Sequence, residues 1–574
     1  IYMSEFFLEL FSEEIPVSLQ TNLREKLLEE IDKIFEDKLI KSKKKFSLST
    51  PNRLIVVFQG LSKEVEIKSE EIKGPSTSSA PQALEGFLKS KKINKDNIFK
   101  KKTEKGEFYF FKTKKKKLKT LDLLIESLPK IISNFKWKKS MKWGSFDLNW
   151  GRPLKSILCV YDKKVVNFEL GHLKSSNVTY LDKDFEEKKK TFNDYDSYQK
   201  YFYKIGTILD QNKRKDLIKK NIEKIQKKKN LKIQENEKLL EEVTNLIDHP
   251  YILECSFDKR FLSIPEEILI LTMQSHQKYF PLFTKKDEIT NEFIVIANKK
   301  DDKGVIKIGN ERVVEARLND AEFFWNKDKS QNLVKKVSSL KSMNFFKGLG
   351  NYFDKVQRMR KLGAVISDEL LISKEKVELS ATICKTDLIS EIVGEFPELQ
   401  GIMGGHLSHV QGFDKEIVDA IKEQYLPIGQ DSIVPKKPFS ITLSLADKVD
   451  TLTGFYGINE KPSSSKDPYA LRRIALGVIR IIIENKKNIK VNDLFSYSRN
   501  IYLDQGFKFS NDSLIKDISI FLKDRFKYYL KEKNIRYDII EAATKSLDLN
   551  KISITYEKAK SLNKIINKSV GIDI

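Results

Sequence analysis

Through residues 1–330 the apolar positions come in short runs separated by polar turns; after residue 331 they recur at helical spacing. In the first part, EFFLEL (5–10), RLIVVFQGL (53–61), FYFFKT (108–113), PYILECSF (250–257) and EFIVIANK (292–299) predict strands, being rich in aromatic and β-branched residues. SILCVYDKKVVNFELG (156–171) predicts a hairpin with Asp-Lys-Lys at its turn. Charged helices are expected between the strands, among them RKDLIKKNIEKIQKKKN (214–230), apolar at Leu217, Ile218, Ile222 and Ile225. The second part predicts helices over 351–371, 376–393, 414–425, 439–454, 468–486 and, in pieces, 512–566. Breakers fall at Gly348–Gly350, Pro427–Gly429, Pro435–Pro438 and Pro462–Ser465. The expected fold is multidomain, with a mixed α/β (α+β) N-terminal half over 1–330 and an all-α C-terminal half.

Composition adds a partner class. The 574 residues include 105 Lys+Arg against 81 Asp+Glu, a net charge of +24. Such an excess suits a polyanion, whose phosphates attract Lys and Arg and release counterions on binding. Hydrophobic residues make up 40% of the chain, enough for large cores. Cys159, Cys255 and Cys384 are widely spaced in apolar runs, which predicts buried, reduced thiols and a cytoplasmic setting. No apolar run is long enough to span a membrane. Ile1 and Tyr2 precede Met3, the expected start.

Signals for self-contained catalysis are missing. The histidines His172, His249, His276, His406 and His409 show no metal-ligand spacing, and there is no P-loop, Gly-x-Ser-x-Gly or GxGxxG after a strand. No catalytic and no metal-binding residue is therefore expected. Three segments carry residues able to meet RNA. NERVVEARLNDAEFFWNKD (310–328) carries Arg312 and Arg317, with Val313, Ala316, Leu318, Ala321 and Phe324 on its apolar side; the arginines either face a ligand or pair with Glu315 or Asp320. TMQSHQKYFPLF (272–283) sets His276 and Lys278 before an aromatic pair, either for phosphate and base contacts or as a helix end packing Tyr279 and Phe280. SSSKDPYALRRIALGVIRIIIEN (463–485) has Ser465 or Asp467 as cap, Pro468 in the first turn, and Arg472 and Arg473 on its exposed side, free or paired with Asp467 or Glu460.

Together with FFLELFSEEIP (6–16), MKWGSFDLNWGRP (141–153), IPEEILILTMQSHQKYFPLF (264–283), KTDLISEIVGEFPELQGIMG (385–404), QYLPIGQDSIVP (424–435) and LADKVDTLTGFYGI (445–458), these segments resemble the β subunit of the bacterial two-subunit glycine–tRNA ligase. The resemblance implies a tRNA-binding subunit of an α2β2 heterotetramer. Its α subunit carries the aminoacylation site and uses ATP and Mg²⁺, so this chain itself binds no cofactor. It also implies a B3/B4-like portion within 1–330, an HD-like helical domain over 331–490, and a DALR-type anticodon-binding helical bundle over 491–574. LNKIINKS (562–569) is at most a divergent form of a family element there, so the bundle is expected to be incomplete. Among the basic and histidine side chains of these segments, Lys142, Arg152, His276, Lys278, Arg312, Arg317, Lys466, Arg472 and Arg473 are the candidates for tRNA contact.

An active HD domain binds metal through a His, an adjacent His-Asp pair and a distant Asp. In ATICKTDL the pair's positions hold Lys385 and Thr386, with Asp447 as the distant acid. A cation at a ligand position repels a divalent metal. The expectation is a metal-free, structural domain in which a Lys385–Asp447 ion pair can replace the metal as cross-link. Two other functions compete on the residues alone: an HD-type phosphohydrolase, and a general RNA-binding scaffold.

Overall fold

A computed structural model describes residues 4–67, 71–91, 93–103, 106–113, 116–181, 188–545 and 547–566. The chain forms two compact units: Ile1–Phe257 with Met273–Val313, and Asp258–Thr272 with Val314–Ile574.

The first unit is built on a seven-stranded sheet. Strand Ser4–Ser12 runs antiparallel between Arg53–Leu61 and Leu154–Tyr161, setting Leu8 opposite Val56 on one side and Cys159 on the other. Both faces are covered, which is why this strand reads as an unbroken apolar run rather than an alternating one. Phe6, Leu8 and Leu10 share a core with Leu23, Leu27 and Ile31 of helix Val17–Asp37 and Leu124 and Leu128 of helix Thr120–Ser133. Phe7, on the opposite face, packs with Tyr195, Tyr198 and Phe202 of helix Tyr195–Lys204. The hairpin predicted at 156–171 forms, with a tighter turn than expected: Asp162 and Lys163 take positive φ (47° and 66°) and Lys164 already pairs with Tyr161. A second sheet orders Tyr251–Ser256, Ile289–Ala297 and Phe280–Phe283 side by side, antiparallel. Helix Gln211–Lys229 covers it with Ile218, Ile222 and Ile225, while Leu217 points to solvent, contrary to the sequence reading. TMQSHQKYFPLF begins as a π-helical turn (Leu271–His276) that ends helix Glu266–Ile270 and leads into strand Phe280–Phe283, with Tyr279 and Phe280 buried, as the helix-end reading expects.

The second unit is helical apart from a small hairpin at Asn344–Phe346 and Gly350–Asn351. Its axis is helix Pro438–Gly457, in which every residue from Ser440 onward except Asp447 is buried. A helix surrounded in this way must be apolar or internally paired all round. Around it pack helices Tyr352–Leu370, Lys415–Glu423, Leu471–Glu484, Val491–Asp504 and Leu514–Glu532. Two helices of nine or more residues in this unit went unread in the sequence, Ile402–Val410 and Val491–Asp504. The helix expected over 376–393 is instead Lys374–Ile383, a 3₁₀ turn at Thr386–Ile389, and Glu391–Glu395. The helix expected over 468–486 starts at Leu471, because Ala470 takes a left-handed φ of 54°. The cap function stays with Asp467, whose carboxylate accepts from the backbone N–H of Leu471 (2.9 Å) and Arg472 (3.0 Å). In helix Val305–Lys329 the buried stripe is Val314, Leu318, Ala321 and Trp325; Val313, Ala316 and Phe324 lie outside it.

Candidate nucleic-acid interface and the buried charge cluster

The helix predicted through Cys384 stops there because the chain must bring Lys385 inside. Lys385 has φ −106° and ψ 2°, Thr386 donates its hydroxyl to Ile383 O (2.7 Å), and Cys384 Sγ donates to Ala381 O (3.2 Å). The Lys385 side chain, 1% exposed, ends 2.9 Å from Asp447 Oδ1, with the Tyr425 ring 3.9 Å away. Lys355 approaches the same oxygen at 3.3 Å, reaches Asp450 Oδ2 at 3.1 Å and donates to Thr451 Oγ1 at 2.8 Å. Arg358 donates from Nε to Asp450 Oδ1 (2.6 Å) and from Nη1 to Gln505 Oε1 (3.0 Å), with its guanidinium over the Tyr502 ring. Lys448 donates to the carbonyls of Tyr425 (3.2 Å) and Leu426 (2.8 Å) and to Ser444 Oγ (3.0 Å).

This network cross-links the helix Tyr352–Leu370, the turn at Lys385 and the central helix. Burial alone would raise the Asp447 carboxyl, yet Lys355 and Lys385 outweigh it and hold the acid well below the usual carboxylate range. Burial likewise pulls Lys385 down, and Asp447 reverses it, so the lysine stays charged. Lys448 lacks a direct carboxylate, and burial lowers it to about 8. The chemistry is that of a charge-paired structural joint: its centre is an ammonium where a metal ligand would need a lone pair. Among the described residues no group of three or more His, Cys, Asp or Glu could hold a metal ion. His406 contacts Glu267 at 2.7 Å instead, and Lys422 meets the other Glu267 oxygen at 2.6 Å.

Asp387, next to this joint, has a different role. It is fully buried, and Oδ2 accepts from the backbone N–H of Gly401 (2.5 Å) and Gly404 (3.1 Å), tying the start of helix Ile402–Val410 to the 3₁₀ turn. Burial dominates and raises its carboxyl to about 6. With the native acid above its unfolded value, the native state holds more protons between roughly pH 4 and 6, so this residue costs stability as pH rises through that window. The full cost above that window is roughly 3 kcal/mol. Asp387→Asn is therefore expected to flatten the stability profile between pH 4 and 6 in urea titrations; an unchanged slope would show that the acid does not titrate there.

The nine candidate RNA-contact residues fall in both units. Lys142 is exposed on a loop closed by the Met141–Trp150 bridge and Arg152 is exposed just after it; Lys142 lies 3.0 Å from Asp147, and Arg152 donates to Gly151 O at 3.3 Å. The loop is fixed by rings: Trp137 packs edge-on to Trp150 at 4.8 Å and lies where a Cβ at Gly151 would stand. His276 ends the π-helical turn, and Lys278 pairs with Glu242 at 3.0 Å. Arg312 and Arg317 are both exposed; Arg317 stands 4.0 Å from Glu395, not beside Glu315 or Asp320. In the second unit Lys466, Arg472 and Arg473 gather at the start of helix Leu471–Glu484. Arg472 donates to Ser463 O (2.5 Å) and lies 3.9 Å from Asp467, so the intramolecular pairing considered for Arg473 belongs to its neighbour. Arg312, Lys466 and Arg473 are exposed and have no carboxylate partner among the described residues.

Sequence reasoning missed two buried pairs. Glu9, at the centre of the first sheet, meets Arg53 (3.2 Å), Thr179 and Tyr198, and burial raises its carboxyl. Asp450 anchors Lys355 and Arg358. An acid inside an apolar run, as in FFLELF and LADKVDTL, is the only local sign of such pairs.

Comparison with known proteins finds similarity over residues of both units. A family model described as "Glycyl-tRNA synthetase beta subunit" matches residues 6–545. The glycine–tRNA ligase beta subunit of Rickettsia canadensis (strain McKiel) is 37% identical over 571 residues, covering 99% of this chain and 84% of its own length. Those of Rickettsia felis and Rickettsia prowazekii (strain Madrid E) are 37% and 36% identical, each over 99% of this chain and 83% of their own. A match of this identity, continuous from the first sheet to the last helices, means that the chain belongs to the glycyl-tRNA synthetase beta subunit family.

Proposed function

We propose that this chain is the tRNA-binding subunit of a glycine–tRNA ligase, required for charging glycine tRNA at an active site carried by the α subunit. The observation that carries the reading is the unbroken family match over residues 6–545. The net charge of +24 and the unpaired, exposed Arg312, Lys466 and Arg473 support it, since free cations are what a phosphate backbone recruits. In this reading the working assembly is a cytoplasmic α2β2 heterotetramer, and ATP and Mg²⁺ act on the α subunit. The helices from 331 to 490 form an HD-like domain and those from 491 an anticodon-binding bundle. If Lys385 takes the place of an HD metal ligand in this reading, its 2.9 Å ion pair with Asp447 weighs against the phosphohydrolase alternative. Among the described residues no helix is long and apolar enough to cross a membrane.

The test is reconstitution. Purified α subunit, glycine tRNA, ATP, Mg²⁺ and glycine are expected to form glycyl-tRNA only when this chain is added. Equal glycylation without it refutes the proposal.

A further inference from the structure

One part of the first unit takes no share in these pairings. Strands Glu71–Ser76, Ile98–Thr103 and Gly106–Lys112 form a separate three-stranded antiparallel sheet with Gly106–Lys112 in the middle. One face is set by Ile72, Phe111 and Ile98, which stand opposite one another. Helix Pro81–Lys91 returns over this face: Phe87 packs so closely on Gly74, two residues after Ile72, that an added Cβ would lie 2.9 Å from the ring.

The other face carries a different chemistry. Register places Phe99 opposite Phe110, Lys101 opposite Phe108, Lys73 opposite Phe110 and Glu71 opposite Lys112. Phe110 forms the floor at 8% exposure, with Phe99 stacked on it at 6.1 Å and itself 38% exposed. Lys73 Nζ lies 3.4 Å above the Phe108 ring, and Lys101 Nζ lies 5.6 Å from that of Phe110. Glu71, the acid of this face, is held by Lys101 at 2.5 Å. Neither Lys73 nor Lys112 closes an ion pair with a carboxylate among the described residues.

We infer that this sheet face binds an unpaired stretch of RNA, with bases stacking on Phe99 and Phe108 and phosphates meeting Lys73 and Lys112. Phe99 offers an exposed ring to a base, and Lys73, which lies over the Phe108 ring, would turn to a phosphate as a base takes its place; such a face suits single-stranded nucleic acid, because every base offers a ring and every nucleotide a negative charge. Diagonal neighbours on a sheet such as Phe99 and Phe108 lie about 7–8 Å apart, so one strand of RNA can use both. An apolar protein surface would be a poor occupant, since it would bury the two unpaired ammonium groups.

The inference rests on the tRNA-binding reading, and the experiment separates the two. Full-length chain is titrated against labelled glycine tRNA over a range of salt. Phe99→Ala with Phe108→Ala is expected to weaken binding on the order of 10-fold or more, with Phe99→Tyr close to the unmodified chain. Lys73→Gln with Lys112→Gln leaves the rings in place and is expected to reduce the slope of log affinity against log salt by about 1.4, two contacts at about 0.7 each. This lysine pair decides the matter if circular dichroism shows that the alanine pair perturbs folding. Unmodified affinity and slope in the lysine pair and in a folded alanine pair remove the sheet from the interface while leaving the charging role intact. Failure of the unmodified chain itself to bind tRNA overturns both readings.

Discussion

Replacing Asp450 by Asn is expected to destabilise the second unit by about 3–5 kcal/mol, because it leaves two buried cations without their counter-charge. Arg358 is fully buried and Lys355 only 2% exposed, and Asp450 meets both. Asparagine preserves the shape and can accept a hydrogen bond, but it cannot neutralise a guanidinium and an ammonium inside a dry helical core. Lys355 would retain Asp447 at 3.3 Å, so the larger share of the loss falls on Arg358. The measurement is the urea midpoint of the purified chain, followed by a probe in the helical half. Replacing Lys355, Arg358 and Asp450 together with apolar residues of similar volume should recover much of the loss, since a buried ion network competes poorly with well-packed hydrocarbon. A single-variant loss below about 1 kcal/mol would mean that water reaches the cluster.

The second large effect belongs to the first unit. Arg214 is fully buried and spends its guanidinium on four backbone carbonyls: Ile208 (2.6 Å), Leu209 (3.0 Å), Thr244 (3.2 Å) and Ser49 (2.8 Å). Burial pulls its pKa down to about 10, which still leaves it charged at neutral pH. It therefore staples helix Gln211–Lys229 to the strand ending at Thr50 and to helix Glu237–Leu246. Arg214→Ala is expected to cost at least about 3 kcal/mol, through a cavity and several unsatisfied carbonyls. Arg214→Lys should lie between, because a compact ammonium cannot span the positions that a planar fork reaches. Equal stability of the lysine variant and the unmodified chain would show that charge, not the fork, makes the joint.

The strands within 5–10, 53–61, 108–112, 154–165, 251–256 and 292–297, and the helices over 352–370, 415–423 and 438–457, were legible because each is written locally as an apolar run or an apolar period, whereas strands such as Lys44–Thr50, Glu71–Ser76 and Ile98–Thr103, short of such a run, were not. The helix through Lys385 was misjudged for the opposite reason. Nothing local stops ATICKTDLISEIV from continuing as a helix; the stop comes from Asp447, distant in sequence, drawing a lysine inside. Ile402–Val410 was not read as a helix, and two of its nine residues, Gly404 and Gly405, are poor helix formers. They are packing sites, where a Cβ would press on Ile421 and Asp387, or on Lys422. Pairing of the arginines followed the same rule: Arg317 meets Glu395, and Arg472 meets a carbonyl nine residues back.

The sequence by itself determined the family, the division into a mixed α/β and a helical half, and the cationic character that suits RNA. These depend on residue order, apolar period and summed charge, which need no coordinates. Only the tertiary structure decided which charges are spent inside the protein and which are left for a ligand. Lys355, Arg358, Lys385 and Arg214 are consumed by buried partners, while Lys73, Lys112, Arg312 and Arg473 are not. A buried charge must be paired within a few ångströms, and its partner usually lies far along the chain, so the allocation of cations appears only once the chain has folded.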